Sequence, residues 1–150
     1  MANLSFDKTL KKVKASFLEN LRKAIEDKVL DNIDNELDSN GQPFHPLTGF
    51  TKKKRKERNT WPGKILNETG KLRKSIKAVK RGDSVSVKSN VSYAQELNDG
   101  RSDMQPRKFL DTPSSLDPGT EDSQKLLDKA KEELREGMFE EVEDFIHSNL

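Results

Sequence analysis

The chain contains no cysteine, so it can hold no disulfide framework, no thiolate metal site and no thiol nucleophile. It is also poor in apolar residues: 31% are hydrophobic and only 6% aromatic, where about 45–50% apolar is usual once glycine is counted. No run approaches the ~18 apolar residues of a membrane span. The opening residues, Met1-Ala2-Asn3-Leu4-Ser5-Phe6-Asp7, have neither the basic nor the apolar region of a secretion signal, so a non-secreted soluble protein is expected. What is abundant is charge, at 36% of 150 residues. That length suits one domain with one modest core.

The net charge of +2 conceals a strong segregation. Residues 1–50 hold 7 basic and 8 acidic side chains, residues 51–81 hold 13 and 2, and residues 82–150 hold 8 and 16. The basic block peaks at Lys52-Lys53-Lys54-Arg55-Lys56-Glu57-Arg58. Halves of opposite sign suggest surfaces that attract, within one subunit or between neighbours, and nucleic acid is the other anionic partner to weigh.

Apolar spacing gives an α+β plan: a long N-terminal helix, a long basic loop, a small antiparallel sheet and a C-terminal helix. Leu10, Val13, Phe17, Leu21, Ala24, Ile25, Val29, Ile33 and Leu37 mark the first helix, within residues 1–40. Ser5 or Thr9 is its expected cap, and about 30 residues make a rod of about 45 Å. Residues 41–64, punctuated by Pro43, Pro46, Gly49, Pro62 and Gly63, read as a loop. Residues 65–112 read as a β-rich core: a hairpin over 75–80 and 84–88, then a short helical piece over 91–98. The stretch 106–110 is a further strand or a docking segment. Two strands alone are marginal, so a third from here or from a neighbour is expected. Leu127, Ala130, Leu134, Met138, Val142 and Phe145 form the stripe of the last helix, over 117–150. All of this makes one domain, 1–150.

Catalytic chemistry finds no support. His45 and His147 are far apart and lack partners at ligand spacing, no nucleotide, zinc-protease or nucleophile-elbow motif occurs, and no cofactor is implied. The basic run Lys52, Lys53, Lys54, Arg55, Lys56 and Arg58 is the candidate partner-facing or DNA-facing element. Phe50 and Trp61 are the aromatics flanking it, too few for base stacking, so contact with nucleic acid would be non-specific.

The middle of the chain carries a second signal. Gly41-Gln42-Pro43-Phe44-His45-Pro46-Leu47 precedes the basic run, and Ile65-Leu66-Asn67-Glu68-Thr69-Gly70-Lys71-Leu72-Arg73-Lys74-Ser75-Ile76 follows it. Then come Ser89-Asn90-Val91-Ser92-Tyr93-Ala94, Gly100 and Pro106-Arg107-Lys108-Phe109-Leu110. This order resembles the virion morphogenesis family of Mu-like tailed phages, the tail-completion proteins of the head–tail neck. Lys88, Leu97-Asn98-Asp99-Gly100 and Lys108 depart from the family pattern. The resemblance implies a non-enzymatic structural protein of the virion, working as a ring of its own copies, a hexamer before a dodecamer. Its partners would be head-connector and tail-tube or terminator proteins, with possible DNA contact and no membrane, in the host cytoplasm during assembly. A non-specific nucleic-acid-binding accessory protein is the alternative. Leu66, Thr69, Gly70, Leu72, Ser75, Ile76, Ser89, Asn90, Tyr93, Ala94, Gly100, Pro106, Phe109 and Leu110 then have structural roles. Leu66, Leu72 and Ile76 enter one core, Tyr93 lays its ring on the sheet, and Phe109-Leu110 pins the chain after the loop. The basic loop is expected to be mobile until it meets its partner.

Overall fold

A computed structural model describes residues 4–149. The order of elements is α1 (Asp7–Asp34), α2 (Gly49–Glu57), α3 (Lys71–Ser75), β1 (Ile76–Arg81), β2 (Ser84–Ser89), α4 (Ala94–Asp99), a 3-10 turn (Ser114–Leu116) and α5 (Glu121–Asn149). The α+β plan holds, with the two long helices at the expected ends of the chain.

The 28 residues of α1 span about 42 Å. Its C-terminal half carries the core: Ile25, Val29 and Ile33 are spaced four apart, fall on one helix face and are buried. Each contributes about 1.5–3 kcal/mol by leaving water. Leu66, Leu72, Ile76, Ala78 and Phe109 complete that core from the middle of the chain, so the three expected core residues of the motif do converge. The N-terminal half behaves differently. Leu10, on the same sequence stripe, is half exposed. Neither expected cap takes the cap position: Phe6 holds it without a side-chain hydrogen bond, and Ser5 before it only accepts a long bond from Asp7 N–H, at 3.4 Å. Thr9 turns instead to α5, where its backbone N–H donates to Glu141 Oε1 at 3.0 Å and its hydroxyl donates to the same oxygen.

The helices α1 and α5 run in opposite directions. Near the start of α5, Leu126 packs on the core, while far along it Glu141 and Gly137 meet Thr9. A methyl group on Gly137 would come within 2.5 Å of Thr9 Cγ2, so this glycine sets how closely the two helices cross. No residue of α5 is buried. Of its expected stripe, Leu127 points out, and Leu126 takes its place against the core.

The hairpin pairs Ile76 with Ser89 through to Arg81 with Ser84, antiparallel, with Gly82 in the turn at φ +57. It lies along α1 through a row of polar contacts. Ala78 N–H donates to Glu26 Oε2 at 2.9 Å, Lys80 pairs with Glu19 at 3.4 Å, and Lys14 with Asp83 at 2.8 Å near the tip. Packing on α1 is what supports a sheet this small.

No third strand joins it among the described residues. The 106–110 stretch docks instead, its Lys108 carbonyl accepting from Ser39 N–H at 2.8 Å and its Arg107 N–H donating to Leu97 O at 3.0 Å. Asn98 completes the docking. It is 3% exposed, and its Oδ1 accepts from Phe109 N–H and Leu110 N–H, both at 2.9 Å.

The acid response follows from the α1 surface. Glu19 is held down to about 2, first by its hydrogen bond from Arg22 and then by Lys80. A carboxylate depressed by folding stabilises the fold above its unfolded value, and that help fades as pH falls through the folded one. Melting temperature should therefore decline between the ordinary value of 4.5 and about 2. Glu19→Gln should flatten this decline in melts across that range. Asp34, lowered chiefly by its hydrogen bond from Arg73, adds a decline of the same sign.

Candidate functional site

The basic segment is not the irregular loop its prolines and charges suggest, because residues Gly49–Glu57 form α2. Thr48 caps it, its hydroxyl accepting from Thr51 N–H at 3.2 Å. Lysine and arginine are good helix formers, and three of them sit in the last turn, where the helix dipole favours positive charge.

One member of the basic run is an anchor, not a partner-facing charge. Arg55 is 5% exposed. Its Nη1 donates to Lys64 O at 2.6 Å, its Nη2 to Ile65 O at 2.7 Å, and its Nε lies 3.7 Å from Glu68 Oε2. The planar guanidinium can satisfy two carbonyls at once, which fixes α2 onto the following segment. Arg58 assists by pairing with Glu68 at 2.8 Å. That hydrogen bond, followed by one from Thr60, holds the Glu68 carboxyl below its usual range. In the structure the segment is a helix fastened through Arg55 and Arg58.

The remaining charges face outward. Lys54 pairs with Glu57 at 3.4 Å, and Lys52 Nζ lies 5.5 Å from the centre of the Trp61 ring. Lys53 and Lys56 are exposed and make no ion pair among the described residues. Beside them Phe50 is 71% exposed, a large apolar side chain on an otherwise basic helix.

The helix α2 walls a cleft of about 1200 Å³ whose other sides are the Thr69-Gly70 turn, α4 and the loop from Gly100 to Arg107. Leu66, Thr69, Gly70, Leu72, Tyr93, Gly100 and Pro106 of the motif line it. Gly70 needs its glycine, with φ +82, and Lys71 N–H donates to the Thr69 hydroxyl at 3.4 Å. Gly100 is required twice over: its φ is +74, and a Cβ there would come within 2.7 Å of Met104 O. Tyr93 lies 41% exposed at this rim.

The other motif residues hold the body together. Ser75 and Ser89 hydroxyls bond at 2.5 Å, Ser89 Oγ also accepts from Val91 N–H, and Ile76, Ala94 and Phe109 are buried. Leu110 packs against the core, and Asn90 is exposed.

Arg107, at the floor of the cleft, donates to His45 O and Pro46 O, both at 3.1 Å. Burial first, and then the Arg55 charge, pulls its guanidinium below the ordinary value. The sequence names Arg55 only as a partner-facing charge, and gives no sign of the anchoring roles of Arg55, Arg107 and Asn98. Arg55 was hidden inside a charge run, and Arg107 inside a segment whose apolar residues drew attention. Among the described residues no cluster of three His, Asp or Glu side chains could hold a metal. The arrangement offers a charged wall, an apolar knob and a recess, which suits binding a macromolecule.

The family model of the phage virion morphogenesis family matches residues 6–109. This stretch runs from the start of α1 through the docked 106–110 segment and contains the whole cleft. No curated protein and no solved structure matches the chain.

Proposed function

The chain belongs to the phage virion morphogenesis family, and from that premise we propose that it completes the tail and joins it to the head, as a ring at the neck. Its role in building the phage virion follows from the family, an assembly family of structural proteins. The observation supporting the narrower reading is the family match over the segment that builds the cleft.

The structure of a single copy is consistent with assembly. The outer half of α1 leaves Leu10 exposed, and α5 leaves Phe139 and Ile146 exposed, while basic and acidic surfaces sit on different elements. Such a subunit suits head-to-tail contact, in which one surface meets a different surface of the next copy and closure yields a ring. A hexamer is the preferred closure, with a dodecamer next. In an infection lacking the protein, DNA-filled heads and tails without their head-proximal ring should accumulate unjoined. Joined infectious particles in that infection would sink the reading.

A narrower test concerns the outward-facing lysines. Replacing the exposed Lys53 and Lys56 together with Lys52, which lies over Trp61, by Gln should cost no more than about 1 kcal/mol, most of it the lost contact with the ring. The same variant should lower the yield of tailed particles, counted by electron microscopy. An undiminished yield would remove α2 from the joining step. The reading of α2 as a non-specific DNA contact predicts a steep loss of DNA affinity with salt for the purified protein, abolished in this variant.

A further inference from the structure

Two apolar features of the chain stay exposed, each touched only by a cation of its own helix: Lys54 Nζ lies 5.7 Å from the centre of the Phe50 ring, and the Arg135 guanidinium 5.9 Å from that of Phe139. One is the outer strip of α5, where Phe139, Val142 and Ile146 are spaced three and seven apart and so share a face. Phe139 is 60% exposed and Ile146 46%. The other is the α2 wall of the cleft, with Phe50 standing out among lysines. Their charges are opposite. From Glu136 to Asn149, α5 carries Glu136, Glu140, Glu141, Glu143 and Asp144 and no lysine or arginine. Glu136 and Glu143 border Phe139, at three before and four after it. The helix α2 carries five basic residues and one acid. Among the described residues no ion pair or hydrogen bond joins α2 to α5 within the chain.

We infer that the distal half of α5 from one copy docks on the α2 wall of the cleft in a second copy. This rests on the ring reading above and names the two surfaces that would make the ring. An amphipathic helix laid in a groove is a common mode of recognition, with anchors at the spacing that Phe139, Val142 and Ile146 show, and this cleft offers Phe50, Leu66, Leu72 and Leu97 among its polar side chains. Phe50 supplies the opposing apolar contact. Lys53 and Lys54, three and four residues beyond Phe50 and so on its face of α2, meet the glutamates that border the strip, so charge selects the orientation as well as the partner. The contact joins unlike surfaces, so it repeats from copy to copy, leaving one surface of each kind open at the ends until the ring closes.

The chain's lack of cysteine makes the test clean. Phe50→Cys and Phe139→Cys are made singly and together, with Ile146→Cys as a second α5 position. All three side chains are exposed, and circular dichroism confirms that each variant folds. A short bis-maleimide reagent is applied to mixed single variants, in concentrated protein and in tailed particles grown with both. The expected product is a dimer containing one chain of each kind, with neither single variant linking to itself. The double variant should give a covalent ladder that stops at the ring size. Absence of the mixed dimer from assembled particles, with both α5 positions tried, overturns the inference, as does self-linking of either variant alone. A reconstructed ring without the cross-link overturns only this interface. A mixed dimer whose ladder never closes keeps the interface and overturns the ring.

Discussion

Asn98→Ala should lower the stability of this protein by about 3 kcal/mol. Asn98 is 3% exposed, and one oxygen accepts from two successive backbone N–H groups, Phe109 and Leu110. Removing it strands both donors away from water, and each stranded buried donor costs about 1–3 kcal/mol. No neighbouring group can substitute, because the Leu97 carbonyl is already used by Arg107 N–H. For a chain of this size the loss should appear as a fall in melting temperature of roughly 6–12 °C. Amide exchange at Phe109 and Leu110 should quicken before exchange at Ile33. If melting is unchanged, the 106–110 segment is held by the burial of Phe109 alone.

The second large effect separates Arg55 from its lysine neighbours. Arg55→Gln should cost about 2 kcal/mol, since it takes the guanidinium from the half-buried Ile65 carbonyl, leaves Lys64 O only its bond from Asn67 N–H at 3.3 Å, and leaves Glu68 with one fewer positive neighbour. Part of the cost is offset, because the substitution also removes the charge that repels Arg107. Arg55→Lys should fare little better, as an ammonium group cannot span Lys64 O and Ile65 O together. Chemical denaturation of these variants beside the triple lysine variant makes the comparison. A variant of the whole basic run would lose stability and charge together, so particle yields from it would say nothing about binding. Equal stability for Arg55→Gln and the triple lysine variant would mean that α2 is not fastened through Arg55.

These two residues also show where sequence patterns stop being informative. Ile25, Val29 and Ile33 announce the buried face of α1 because burial and period coincide there, and the alternation of Ile76 with Ala78 does the same for β1. The stripe misleads at Leu10, where the helix has outrun the core and one face meets only α5. The basic helix shows no apolar period, because its buried position is taken by Arg55, a charge satisfied by carbonyls distant in the fold. Asn98 ends the short helical piece read over 91–98, in a polar Leu-Asn-Asp-Gly stretch, and only the docked segment reveals what its oxygen holds. Gly137 was legible in principle. A glycine inside a long helix costs about 1 kcal/mol against alanine, and its reason here is Thr9 across the helix crossing. Seven motif residues around the cleft were visible as a pattern, while the cleft itself came only from bringing α2, α4 and the 100–107 loop together.

The most direct measurement is a reconstruction of the head–tail junction of intact particles, with antibody labelling of this protein. The account predicts a ring of copies at the neck, between the head connector and the first layer of the tail. Copies absent from the virion, or placed in the head shell or at the far tail tip, would contradict it.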